Sequence, residues 1–274
     1  MLQRIIVAFD GSEDAREAFA YALMLAMAAK ATVVGFYALE PAVAPVAMAD
    51  PTLGVDLGPA LMYDNERIQA ERQQAERALA SLEEECATRS VRFTPVIAHG
   101  RLLDALCEEA GADDLIILGR KGRFARTGVG STTRALVAHA PCPVVVVSGS
   151  MRPITRVLAI YDSAPEAKRA VSFAADLAKQ AGWPLAVLAA AGHGRSLDEA
   201  LDRAAELAPD ATVLSLGVEE QGDEAKLVEH AVERAGYSLI VMGAYTHSWI
   251  YNLLFGSVTA KVLEKVGGPV ALVH

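Results

Sequence analysis

From Arg4 to Asp10 the chain reads RIIVAFD, a β-branched and aromatic run that ends in an acidic turn. Ser12 then opens an Ala-rich stretch to Lys30 whose apolar positions recur at helical spacing. A strand followed by a helix is predicted. Thr32 to Leu39 (TVVGFYAL) predicts a second buried strand, and Glu40 to Pro59, rich in Pro, Ala and Gly without a period, predicts a loop. From Ala60 to Arg89 polar residues dominate, with Glu66, Glu71, Glu76 and Glu83 to Glu85 interleaved with Arg67, Arg72 and Arg77, the pattern of a long exposed helix. Val91 to Ala98, Leu115 to Gly119 and Pro143 to Ser148 are further strands, separated by helices over Leu102 to Ala110 and Ser131 to Ala138. The predicted order is βαβαβαβαβ.

The order then begins again. After Gly149-Ser150-Met151-Arg152-Pro153, Asp162 follows the strand Arg156 to Tyr161 as Asp10 follows Ile5 to Phe9. Gly119 matches Gly243, Gly130-Ser131 matches Gly256-Ser257, and Pro143 matches Pro269. Two repeats are implied, 1–149 and 154–274, joined by a linker at 150–153. The offset is 152 between Asp10 and Asp162 but 124 between Gly119 and Gly243, so the second copy has lost 28 residues between its first and fourth strands. The deletion falls where Ser196 to Leu207 supplies a short helix in place of Ala60 to Arg89. Alternating strands and helices require a mainly parallel sheet with helices on both faces. The fold class expected is therefore α/β, two tandem open sheets of five strands each. Ligands of such sheets bind beyond the carboxyl ends of the strands, which selects Asp10, Gly119, Asp162 and Gly243.

Composition narrows the function classes. With 53% hydrophobic and 22% charged residues, the 274-residue chain can fill well-buried cores and is not disordered. A net charge of −9 argues against a broad nucleic-acid surface. Cys86, Cys107 and Cys142 form no CxxC, so buried thiols in a reducing compartment are expected rather than disulfides or zinc. Met1-Leu-Gln-Arg-Ile-Ile-Val reads as a core strand and not a signal peptide, and no apolar run reaches the roughly 20 residues that cross a bilayer. A cytoplasmic location, away from membranes, is the expectation.

The strongest chemical signal is Gly119-Arg-Lys-Gly122-Arg-Phe-Ala-Arg-Thr-Gly-Val-Gly130-Ser131, which bridges a strand to a helix. Glycines let the backbone approach a ligand, amides at a helix start cradle phosphate, and Ser131 or Thr132 adds a hydroxyl donor. Arg120, Lys121, Arg123 and Arg126 bring positive charge to this one segment of an acidic chain. A plain βα turn with arginines in solvent is the competing reading. Neither GxGxxG with a downstream acid nor GxxxxGK[ST] is present. The six histidines have no spacing to carboxylates or Cys that defines a metal shell or triad, and no acid/base pair stands out.

Taken together, Val7-Ala-Phe-Asp10-Gly-Ser, the Gly-rich segment, Pro143-Val-Val-Val-Val, Leu158-Ala-Ile-Tyr-Asp162-Ser, Met242-Gly-Ala-Tyr-Thr246, Gly256-Ser-Val-Thr259 and Pro269-Val-Ala-Leu-Val273 resemble the universal stress protein family in its tandem form, over nearly the whole chain. The resemblance implies the adenine-nucleotide α-hydrolase-like fold, a stress-response or regulatory role, and binding of ATP or another adenine nucleotide, with Mg only as the nucleotide's companion. It places Asp10 or Asp162 near adenine or ribose, the loop amides at the phosphates, and Ser131 or Ser257 in a phosphate hydrogen bond. ATP-binding members carry GxxG, nine residues, then Gly and Ser or Thr. Here seven residues separate Gly122 from Gly130, and in the second half Thr246 replaces the second glycine. A β-branched residue resists positive φ. Asp10 with Ser12, and Asp162 with Ser163, can equally satisfy the N-termini of the helices that follow.

The first half, with two loop glycines and four cations, is the expected nucleotide site. Residues Ala244 to Gly256 contain no Lys, Arg, Asp or Glu and read as a packing segment, in which His247 reads as turn decoration. Val144 to Val147 and Val270 to Val273 are candidate pairing edges, within the chain or in a homodimer. Binding rather than turnover is expected. Two further readings stay open: a nucleotide-free scaffold that contacts a protein partner, and an ATP-hydrolysing enzyme, for which the SGG-type loop after strand one is missing.

Overall fold

A parallel strand is covered on both faces and therefore needs apolar side chains on both. Arg4–Ala8 (β1), Leu115–Gly119 (β4) and Val144–Val147 (β5) meet that demand, since Ile5, Val7, Leu115, Ile117 and Val145 enter one core while Ile6, Ile116, Val144 and Val146 enter another on the opposite face. The structure is a computed structural model that describes residues 2–40, 58–121, 130–191, 194–215, 236–244 and 268–274, with 58–66 as backbone only. Thr32–Leu39 (β2) and Phe93–His99 (β3) complete the first five strands, all parallel, in the order β3-β2-β1-β4-β5. Val157–Tyr161 (β6), Leu185–Ala189 (β7), Thr212–Ser215 (β8), Leu239–Gly243 (β9) and Pro269–Val273 (β10) repeat the arrangement in mirrored order.

The two sets of five do not end at separate edges. β5 pairs antiparallel with β10, Val146 opposite Val270 and Val144 opposite Leu272, so a single ten-stranded sheet runs through the chain. The Val-rich strands named as candidate pairing edges are thus satisfied within one chain. Each contributes unbroken β-branched or apolar residues that the pairing takes out of water.

Among the described residues four helices cover one face. Glu13–Ala29 (α1) starts at Ser12, whose Oγ accepts the Ala15 amide at 3.2 Å, with Glu13 and Asp14 in the first turn where the helix dipole favours acids. It ends at Lys30, which takes the left-handed conformation (φ 55°). Gly58–Thr88 (α2) lays Ala75, Leu79, Leu82 and Cys86 on the sheet, an i, i+4, i+7, i+11 stripe, and from Arg67 onward leaves most of its other positions exposed. Pro165–Ala181 (α5) has Pro at its first turn and Gly182 as its left-handed cap. Leu197–Leu207 (α6) opens with a capping box between Ser196 and Glu199 and stands where α2 does in the first half, with 11 residues against 31. On the other face lie Leu102–Glu109 (α3) and Ser131–His139 (α4). Boundaries differ from expectation mainly at strand ends: β1 stops at Ala8 and β3 begins at Phe93.

The passage between the halves is tied to α1. Met151 and Arg152 donate their amides to Glu17 Oε2 (2.6 Å) and Tyr21 Oη (2.9 Å), and Ile154 points its amide at Met24 Sδ (3.3 Å). Glu17, Tyr21 and Met24 occupy i, i+4 and i+7 of one helix face. Gln180 of α5 adds a second tie, accepting from the Leu2 amide and donating to the carbonyls of Leu2 and Ala29.

Candidate functional site

In the order β3-β2-β1-β4-β5 the connection changes direction between β1 and β4, and that is where a doubly wound sheet leaves a crevice. A cavity of about 560 Å³ opens there. Asp10 and Ser12 line it from the end of β1, Gly119 and Lys121 from the end of β4, and Gly130 to Thr133 from the start of α4. Its apolar part comes from Ala8, Phe9, Tyr37, Ala38, Leu102 and Leu118. The sequence-selected residues Asp10, Gly119, Lys121, Gly130, Ser131 and Thr132 therefore share one cavity. Arg120, expected at the same site, is not among the lining residues; its amide donates to Val147 O at 2.8 Å.

Local chemistry fixes each of these groups. The Asp10 carboxylate accepts the Ser12 amide at 2.9 Å across Gly11, which takes φ 79°, so β1 turns sharply into α1 and Asp10 stays at the cavity rim. The expected helix-start role of Asp10 and Ser12 holds alongside their place in the cavity. At β4 the Lys121 amide donates to Asp14 Oδ2 at 2.9 Å, and Gly130 N donates to Arg120 O at 3.0 Å, which closes the neck of the 121–130 segment. Thr133 Oγ1 turns inward toward the carbonyls of Gly119 and Arg120 (3.4 and 3.5 Å).

Gly119 has a packing reason as well. A Cβ there would lie 2.5 Å from Asp14 Cβ and 2.8 Å from the Asp14 carbonyl carbon, so only glycine lets α1 approach the end of β4. Gly243 repeats this at Glu166, 2.7 Å from its Cβ. Neither glycine owes its place to a ligand alone. The start of α4 stands apart from the starts of α1 and α6. Gly130 is the N-cap and offers no side-chain cap, so the amides of Ser131, Thr132 and Thr133 have no partner within their own helix.

The second half is built differently at the same place. Asp162 accepts the Ala164 amide at 3.1 Å and is 2% exposed, Ser163 is 7% exposed, and Ala164 is the N-cap of α5 without a side-chain cap. Ser163, which was expected to help start the helix, does not cap it. It takes the left-handed conformation (φ 70°) at the position of Gly11, and its Oγ has no hydrogen-bond partner among the described residues. Gly122, Thr246, His247, Gly256 and Ser257 lie outside the described residues.

Three charged cavity residues were absent from the sequence-based selection. Arg67 and Glu71 of α2 line the same cavity, together with Glu40. Glu40 Oε1 also accepts the Leu102 amide at 3.2 Å and so serves the uncapped start of α3. Among the described residues no group of three or more His, Cys, Asp or Glu side chains is gathered to hold a metal ion. No described helix is long and apolar enough to cross a membrane.

The model of the universal stress protein family matches residues 1–148 and again 153–274. The chain belongs to the universal stress protein family. It carries two such domains, the tandem form. Universal stress protein Slr1230 of Synechocystis is 26% identical over 285 residues, spanning 98% of this chain and 99% of that protein. A universal stress protein from Archaeoglobus fulgidus superposes with a TM-score of 0.70 at 16% identity, over 98% of this chain and 95% of that one. A putative universal stress protein from Pseudomonas aeruginosa gives 0.55 at 16% identity, over 99% and 93%. These two structures share the fold. The stress-protein fold expected from the sequence is the one observed, with its two five-stranded sets joined edge to edge.

Proposed function

We propose that this universal stress protein binds an adenine nucleotide in its first half and acts through the bound state rather than through turnover. One observation carries the reading: the start of α4, with no side-chain cap, borders a cavity of about 560 Å³ at the strand-order reversal. Its volume falls in the usual range of about 300 to 1,000 Å³ for small-molecule sites. Lys121 adds a cation beside those amides, and Asp10 and Ser12 offer acceptors for ribose or base across the cavity. The residues present fit a nucleotide, with Ser131 and Thr132 as hydroxyl donors to phosphate and Mg entering only with the ligand. Among the described residues the hydroxyls and Lys121 at the α4 start form no acid/base pair to activate water, which favours binding over hydrolysis.

For the second half the burial of Asp162 and Ser163 favours the scaffold reading. Since β5 and β10 are spent on each other, a homodimer or protein partner would use another surface. The test is to denature freshly purified protein, quantify released adenine nucleotide, and titrate the emptied protein with ATP. About one nucleotide per chain is expected. No release together with no binding at millimolar ATP would turn the assignment over to a nucleotide-free scaffold throughout.

A further inference from the structure

We propose that α2 reads the end of the nucleotide remote from its phosphates, through Arg67 and Glu71. The inference rests on the nucleotide reading of the first-half cavity and adds a recognition element to it. Arg67 and Glu71 sit one turn apart, so both project from one face of α2. The next pair along the helix, Arg72 and Glu76, has the same residue order and spacing and forms an ion pair at 3.1 Å. Arg67 and Glu71 form none among the described residues and line the cavity instead. Equal spacing with a different outcome marks the first pair as facing something other than each other.

The topology decides which end of a ligand they meet. α4 follows β4, on one flank of the strand-order reversal, whereas α2 packs over β2 and β3 on the other. Two strand spacings of about 4.8 Å separate β4 from β2, so a ligand must reach on the order of 10 Å to touch both flanks. A nucleoside phosphate does so, and an inorganic phosphate chain held at the α4 start has nothing to offer α2. Around the α2 flank stand the carboxylates of Glu71 and Glu40 with one guanidinium, that of Arg67. Paired acceptor and donor suit a group that itself both donates and accepts, such as ribose hydroxyls or an amine-bearing base edge. α6 has 11 residues where α2 has 31, so among the described residues the second half has no counterpart of this wall.

The sign of the charge effect supplies the test. Replacing Glu71 by Gln removes a negative charge, which through the long-range field alone would tighten binding of any anion. A lost hydrogen bond to the nucleoside would weaken it. ATP and inorganic tripolyphosphate are titrated calorimetrically into the full chain and into Glu71→Gln, Arg67→Gln and the control Arg72→Gln, with helicity checked by circular dichroism. Expected are an ATP affinity about tenfold weaker in Glu71→Gln and in Arg67→Gln, tripolyphosphate unchanged or tighter in Glu71→Gln, and Arg72→Gln like the parent. ATP binding that is unchanged or tighter in Glu71→Gln, while the parent binds ATP, overturns the α2 assignment and leaves the nucleotide site standing. A parent chain that binds no ATP removes both.

Discussion

Tyr21 offers the most incisive perturbation of the fold. Its side chain is 0% exposed and its hydroxyl accepts the Arg152 amide at 2.9 Å, in the middle of the α1 face that holds the passage between the halves. Tyr21→Phe deletes that acceptor without changing the packed ring. A buried donor left unpaired costs about 1 to 3 kcal/mol, and because Arg152 itself is exposed, water can partly replace the hydroxyl and the low end applies. About 1 kcal/mol corresponds to a melting temperature roughly 2 to 4 °C lower in a chain of this size. The repeat supplies its own control. At the offset of 152, Tyr21 corresponds to Phe173 and Phe9 to Tyr161. Tyr161 is also 0% exposed, yet its hydroxyl has no partner among the described residues, so Tyr161→Phe should leave stability unchanged or raise it. Alkaline pH adds a second readout. Burial raises the Tyr21 hydroxyl above its ordinary value of 10.0. Above that pH the unfolded chain loses the proton while the folded chain keeps it, so this contribution is whole below pH 10 and is lost as pH rises through the folded value. Thermal melts of both variants at neutral pH, and of Tyr21→Phe between pH 8 and 11 against the parent, check the reasoning. Equal effects from the two substitutions, or an unchanged Tyr21→Phe melt, would refute it.

Ser163→Gly should stabilise the protein by about 1 kcal/mol in urea unfolding, because it relieves a left-handed non-glycine residue and removes an unpartnered buried hydroxyl, offset by the looser unfolded chain. A loss of stability would show that the hydroxyl has a role. Thiol labelling at neutral pH should reach Cys107, which is half-buried, before the others; burial pushes Cys142 up to about 12 and Cys86 up to about 11. Three labels per chain should appear only after denaturation, and prompt labelling of Cys142 in the native protein would contradict its burial.

Much of this architecture is legible in the sequence because β-branched runs such as RIIVA and VVVV can be satisfied in few ways, and because Asp10, Gly119 and Pro143 recur in order as Asp162, Gly243 and Pro269. The cavity residues at strand ends follow from topology alone. What the residue pattern conceals is context. Arg67 and Glu71 are indistinguishable by spacing from Arg72 and Glu76, and only the placement of α2 separates a cavity pair from a solvent pair. Asp162 looks like Asp10 until its burial is known. The use of the Lys121 amide by Asp14 joins residues 107 positions apart, which no local pattern reports. One signal was available and easy to pass over: Tyr21 carries a hydroxyl where its repeat position has Phe173, and the copy that has it is the copy the linker crosses.

The antiparallel seam between β5 and β10 has a geometric consequence. Every other pairing in the sheet is parallel, so all strands of one half run against all strands of the other, and their carboxyl ends emerge at opposite rims. Asp10 and Asp162, for all their equivalence in sequence, look away from each other across the width of the molecule. The two rims are too far apart for one small molecule to bridge, and the backbone ladder and the packed α1 and α5 layer connect them.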